Sequence, residues 1–311
     1  MTSFAAVSTF LPPSVPISEL REDSPLDARQ VRRFQRFYGL SAVVRAPELD
    51  EEGLLLAAAS KLDGLRGQEQ RVRYLVQART FPSSRPDPAG ALRRIGAELG
   101  LSEAVAFAVT GQACASGLEA VHLCGRLLAA DGDPDALALV LAGEKNFTPI
   151  ARCVPRSNVG GEAAAAVLVR EGRAGDTDEV LGRATRTYGR FHDEVVTGEP
   201  SSTEFNKLYT EALGEVMMAA CENSGIAFDD IDLIIPHNVN TISWHAVADQ
   251  LDLPWERIFL DNIPVTGHCF SADPFVNYGT AGQLGRLRPG GRYLLTAVGL
   301  GATFSAMVVQ H

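Results

Sequence analysis

The same order of strand, elbow, helix and strand occurs twice in this chain, and that repetition limits the fold more than any other feature. Gly111 opens the turn GQACAS, and Gly143 closes the apolar run LALVLAG 32 residues on. Gly267 opens GHCFSA, and Gly299 closes YLLTAVG, again 32 residues on. The two pairs are offset by 156 residues, and VRYLVQA (72–78) aligns with IDLIIPH (231–237) at nearly the same offset. Self-similarity at a fixed offset marks one architectural unit used more than once. It predicts two α/β halves, residues 1–170 and 171–311, related by a pseudo-two-fold axis, with the two elbows at equivalent places near the centre.

Short β-rich runs alternate with helical patterns: VRYLV, AVAFAV, LALVLAG, AAAAVLV, IDLIIP, RIFLDN, YLLTAVG and FSAMVV. Near-continuous apolar character belongs to strands buried on both faces, which places the chain in the α/β class. Helices are expected over 116–130, 203–224 and 241–251, a surface loop at 81–88, and an irregular polar excursion from Glu171 to Thr203. With 311 residues and 46% hydrophobic content the chain can bury a large core. Its net charge of −10 opposes phosphate backbones and anionic membrane surfaces, so neither nucleic acid nor a membrane is an expected partner. No apolar run reaches the roughly 18 residues of a membrane helix. The first 16 residues carry no Lys or Arg and are broken by Pro12 and Pro13, so no signal peptide is expected. Five cysteines without CxxC spacing suggest neither a disulfide framework nor a metal site, and point to the cytoplasm.

Cys114 follows an apolar run and precedes a helical pattern in TGQACASGLEAV. A thiol at such an elbow faces the partial positive charge of a helix N-terminus, which favours thiolate. Ala113, Ala115, Ser116 and Gly117 leave room for a substrate. Two histidines follow strands in the second half: His237 in LIIPH, with Asn238 and Asn240 beside it, and His268 after Gly267. Histidines in such loops are placed for general acid or base work. Trp244 and Trp255 are assigned to core or cavity wall.

The segments ACASG, PHNVN, TGH and GLGATFSAMVV, with the alanine-rich NVGGEAAAAVLV, resemble the thiolase superfamily, and most closely its ketoacyl-synthase III-like enzymes. The resemblance spans almost the whole chain and implies a thiolase fold of five layers, αβαβα, usually as a homodimer. It implies that Cys114 is acylated by a thioester, that His237 assists, and that the backbone N–H groups of Cys114 and Leu300 form an oxyanion hole. No bound cofactor is implied; acyl-coenzyme A or a phosphopantetheinyl carrier protein is the co-substrate. His192 and Asn240 are candidate substrate contacts.

His268 stands where ketoacyl-synthase III normally has asparagine, and Asp273 follows five residues later. This GHxxxxD spacing resembles a branch that transfers acyl groups to oxygen, nitrogen or sulfur through a Cys-His-Asp arrangement. Asp273 has two readings here: it orients His268, or it caps the helix that Pro274 begins. The leading expectation is an acyltransferase of specialised metabolism, passing an acyl group from Cys114 to a nucleophile activated by His268. The alternatives are decarboxylative condensation by Cys114, His237 and His268, or a non-catalytic partner subunit. Ile242 replaces the arginine that carrier-docking relatives often have at that place, which favours coenzyme A as donor. Arg32, Arg33 and Arg36 form one basic cluster, and Arg152 and Arg156 another.

Overall fold

The computed structural model describes residues 1–20, 26–81, 88–154, 157–173, 175–191 and 203–311. Nine strands carry the architecture: β1 (Thr2–Phe10), β2 (Val72–Ala78), β3 (Val105–Val109), β4 (Leu137–Gly143) and β5 (Ala164–Glu171) from the first half. From the second come β6 (Glu179–Thr187), β7 (Leu233–Ile235), β8 (Arg292–Gly299) and β9 (Thr303–Gln310). The principal helices are α1 (Glu51–Ala59), α2 (Pro88–Glu98), α3 (Ser116–Asp131), α4 (Thr203–Ser224), α5 (Thr241–Leu251) and α6 (Asp273–Gln283).

The sheet order is β3-β2-β4-β5-β1-β6-β9-β8-β7. It has the same plan on both sides of its middle. β2 and β4 are parallel, β5 runs antiparallel to β4, and β1 antiparallel to β5. Likewise β7 and β8 are parallel, β9 is antiparallel to β8, and β6 antiparallel to β9. Within the sheet the halves meet where Thr2 and Ser3 of β1 pair with Val180 and Glu179 of β6.

Side-chain alternation explains why the strands are apolar throughout. Leu137, Leu139 and Leu141 of β4 pack into an outer layer with α1 and α2, while Ala138, Val140 and Ala142 face α3 and α6. In β9, Phe304, Ala306 and Val308 face α4 and α5 on the other outer surface, and Met307 and Val309 face the centre. The result is five layers, αβαβα, with α3 and α6 in the middle. No described helix is long and apolar enough to cross a membrane.

Three expectations need correction. The stretch 171–203 is not irregular throughout, because it contains β6, whose polar appearance hides a strand. Its Arg183 meets Glu119 of α3 and its Arg186 meets Glu215 of α4, so charges that look solvated in the sequence are paired across layers. The run RIFLDN contributes a single bridge, Ile258 to Ile234, rather than a strand. Trp244 is fully buried, but Trp255 is 51% exposed and lies edge-on to His245.

At Gly182 of β6 a Cβ would fall within 2.5–2.7 Å of the backbone and Cβ of Ser224, at the end of α4. Only a glycine lets the helix seat on the strand. Gly182→Ala is expected to destabilise the fold by about 1–3 kcal/mol, the usual penalty of overpacking, read as a lower midpoint in urea unfolding.

Candidate active site

Cys114 is the middle residue of a short 3-10 turn, Ala113–Ala115, that feeds directly into α3. Ala113 takes a left-handed conformation, φ +46°, which costs an L-residue about 1–2 kcal/mol and must be held by its surroundings. Gly299 supplies part of that hold. A Cβ there would come within 2.0 Å of the Gln112 carbonyl oxygen, so the turn after β8 lies flat against the elbow. Leu300, next in that turn, lines the same cavity as Cys114.

A matching turn, Phe270–Ala272, precedes α6, with Phe270 at φ +57°. By position Ser271, rather than His268, corresponds to Cys114. The two turns touch: a Cβ on Gly117 would meet the Ser271 carbonyl at 2.4 Å. This close approach carries His268 to Cys114, with Nε2 3.1 Å from Sγ.

Asp273 opens α6 but does not cap it; the capping position belongs to Ala272. Its carboxylate instead turns back under His268, 2.5 Å from Nδ1. It also accepts the backbone N–H of Cys269 at 2.7 Å and of Asn238 at 2.7 Å, and it has no solvent exposure. Burial by itself presses the His268 pKa down, but the charges of Asp273 and Cys114 outweigh it and hold the imidazole well above its ordinary value. An oriented, proton-holding imidazole thus stands directly beside a buried thiol.

His237 lines the opposite part of the cavity. Its Nε2 lies 2.8 Å from the Tyr209 hydroxyl of α4, and its carbonyl accepts Trp244 Nε1 at 3.1 Å. Burial, together with the charge of His268, lowers its pKa to about 3, so the ring is neutral. Asn238 is locked beside it: its side chain donates to Thr266 Oγ1 and accepts from Asn277 Nδ2.

The family described as 3-Oxoacyl-[acyl-carrier-protein (ACP)] synthase III C terminal matches residues 221–311. The beta-ketoacyl-[acyl-carrier-protein] synthase III of Pseudomonas aeruginosa is 29% identical over 284 residues, 85% of this chain and 83% of that one. The chain is thus similar to the ketoacyl-synthase III-like enzymes of the thiolase superfamily. Among solved structures, 3-oxoacyl-[acyl-carrier-protein] synthase III from Aquifex aeolicus superposes with TM-score 0.81 at 20% identity over 100% of both chains. The acyltransferase ChlB3 superposes with TM-score 0.84 at 20% identity, covering 99% of this chain and 97% of its own.

In this ketoacyl-synthase III-like chain the structure brings Cys114, His268 and Asp273 into contact and places His237 and Leu300 on the same cavity. Asn240 has another task. Its Oδ1 accepts the Ser243 N–H and so caps α5, and its Nδ2 donates to the Ser157 carbonyl. His192 and Arg156 lie outside the described residues. Sequence reasoning missed Tyr209 and Thr80, whose hydroxyl is 3.8 Å from Cys114 Sγ. Neither sits in a motif, and only packing of α4 and the segment after β2 delivers them. It also missed Glu144, whose Oε1 accepts the N–H groups of Thr80 and Phe81 and so fixes the cavity wall.

Two measurements follow from these geometries. Asp273→Asn removes the charge that keeps a proton on His268, so the rate of Cys114 alkylation at neutral pH is expected to fall at least about tenfold and its pH profile to move upward. Burial pushes the Glu144 carboxyl up to about 7, so the unfolded chain releases that proton more readily than the folded one. The stabilisation is complete below the ordinary carboxyl range and lost as pH rises through about 7. Glu144→Gln is expected to flatten the decline in Tm between about pH 5 and pH 8.

Proposed function

We propose that this chain is a thioester-dependent acyltransferase in which Cys114 carries the acyl group and His268, oriented by Asp273, activates the acceptor. The observation that carries this reading is the buried run of contacts from Sγ of Cys114 to His268 to Asp273. In the first half-reaction, with the shared proton held on His268 Nε2, the Cys114 sulfur attacks the thioester carbonyl as thiolate. The N–H groups of Cys114 and Leu300 hold the developing oxyanion, and the donor thiol leaves with that proton. In the second, His268 Nε2 takes the proton of an alcohol, amine or thiol. The acceptor attacks the acyl carbon, and Cys114 leaves as a thiol. An imidazole tied to a carboxylate is suited to that proton transfer.

Decarboxylative condensation is the second reading, favoured by the likeness of most of the chain to beta-ketoacyl-[acyl-carrier-protein] synthase III. Two features support acyl transfer over it. The enolate of a condensing site needs N–H donors, whereas the His268 imidazole, tied to the Asp273 carboxylate, is suited to taking a proton. His237 Nε2 is committed to Tyr209.

The donor is proposed to be a coenzyme A thioester. α5 has no Lys or Arg, and its Ile242 is 46% exposed, which gives an acidic carrier protein no cation there. Beside it, Arg33 and Arg36 stack on Tyr38 and Phe37, and Gly39 abuts Thr241. That cluster suits phosphates. The cavity has a free volume of about 60 Å³, room for a few water-sized groups, so a short acyl chain fits. Among the described residues β3 pairs on one side only, with Val105 59% exposed at the open edge, and a second copy is proposed to pair there.

Brief exposure to a panel of acyl-coenzyme A and acyl-carrier thioesters, followed by intact-protein mass, tests the reading. A mass increase absent in Cys114→Ala is expected, with short acyl-coenzyme A giving the fastest labelling. No adduct from any donor overturns it.

A further inference from the structure

The segment that follows β2 is held more firmly than a cavity lip requires. The Arg79 N–H donates to the Val109 carbonyl of β3 at 2.9 Å, and Arg79 Nε donates to the Phe81 carbonyl at 3.2 Å. The N–H groups of Thr80 and Phe81 both donate to Glu144 Oε1, at 3.0 and 3.2 Å, and the Glu144 carboxyl is fully buried. These bonds fix the backbone on both sides of one side chain. Thr80 is 6% exposed, lines the cavity, and turns its hydroxyl toward Cys114 Sγ at 3.8 Å. Among the described residues that hydroxyl has no other acceptor, and Sγ has one other side-chain partner, His268 Nε2 at 3.1 Å. A neutral thiol is a weak acceptor, whereas charge on an acceptor shortens and strengthens the bond. Contacts of this kind are often long at rest and tighten in the reacting complex.

We propose that the Thr80 hydroxyl is a further catalytic group: it donates a hydrogen bond to the Cys114 sulfur and holds the negative charge of the attacking thiolate. The inference deepens the acyl-transfer reading above and rests on it for the nucleophile. As Sγ bonds to the acyl carbon, the donor's own carbon–sulfur bond breaks, and the donor sulfur takes the proton held on His268 Nε2. Thr80 keeps its proton throughout. The acylated sulfur carries no charge, so the bond from Thr80 weakens. It strengthens again when the acyl–Sγ bond breaks and the electron pair returns to sulfur. A contact that is strongest while charge is on sulfur acts on the reacting states rather than on the resting thioester. Glu144 serves it at one remove, by fixing the backbone that aims the hydroxyl.

Thr80→Val exchanges the hydroxyl for a methyl group of similar size, and Thr80→Ser keeps the hydroxyl and drops the methyl group. The pH dependence of Cys114 alkylation by iodoacetamide, read by intact mass, separates the donor from the shape. In Thr80→Val the rate at neutral pH is expected to fall about tenfold, the scale of one hydrogen bond to a charged group. The midpoint of the profile is expected to move upward while the plateau at high pH is kept. Thr80→Ser is expected to retain the wild-type midpoint, which a packing role would not allow. Thr80→Ala gives the same readout should Thr80→Val disturb the fold, and is expected to move the midpoint in the same direction. A wild-type midpoint in both Thr80→Val and Thr80→Ala overturns the proposal, as does an equal shift in Thr80→Ser. Alkylation needs no acyl donor, so the two readings fail separately. A wild type that takes no acyl group from any thioester overturns acyl transfer, whereas one that is acylated, with a profile unmoved by Thr80→Val and Thr80→Ala, overturns this inference alone.

Discussion

The carboxylate of Asp273 holds the centre of the molecule together. It is fully buried, and an unpaired charge there would be untenable. Its partners come from three directions: His268 from the elbow, the Cys269 N–H from the same turn, and the Asn238 N–H from the loop after β7. A group satisfied in this way fixes the ring of His268 in one orientation and one tautomer, with Nδ1 toward the carboxylate and Nε2 toward sulfur. The loop bearing His237 is fixed by the same atom, because Asn238 follows that histidine directly.

Around this point the two halves approach more closely than side chains would permit. Gly117 lies against the Ser271 carbonyl, and Gly299 against the Gln112 carbonyl. These contacts hold two turns with left-handed residues, Ala113 and Phe270, in conformations an isolated chain would avoid. The strain sits at the Cys114 elbow, and the paired sheets and the middle helices α3 and α6 supply the rigidity that holds it. The setting of Cys114 therefore depends on packing far beyond its own loop.

Much of the site was legible because it lies in short motifs at strand ends. Cys114 announced itself as an elbow nucleophile through its small neighbours, and His237 and His268 by following apolar runs. Asp273 was ambiguous, since an aspartate before Pro274 satisfies local helix rules equally well. Only the turn of the chain between 268 and 273 aims it at the imidazole. Asn240 shows the converse: beside the histidine motif it reads as a substrate contact, and only the tertiary structure reveals that its Oδ1 caps α5 and its Nδ2 holds the Ser157 carbonyl. β6 was hidden because its arginines find glutamates on α3 and α4, partners distant in sequence.

The amino-acid sequence by itself determined the strand content, the doubled plan and which residues stand as candidates at the strand ends. Alternation, glycine spacing and small-residue elbows are local and follow from backbone geometry. The tertiary structure alone decided which groups share protons. Contacts such as Cys114 to His268, and Tyr209 to His237, join residues 154 and 28 positions apart. Hydrogen bonds form over about 3 Å, and no local pattern carries distance information across a helix layer. That physical gap separates a chain whose motifs resemble ketoacyl-synthase III from a site whose donors and acceptors can be assigned.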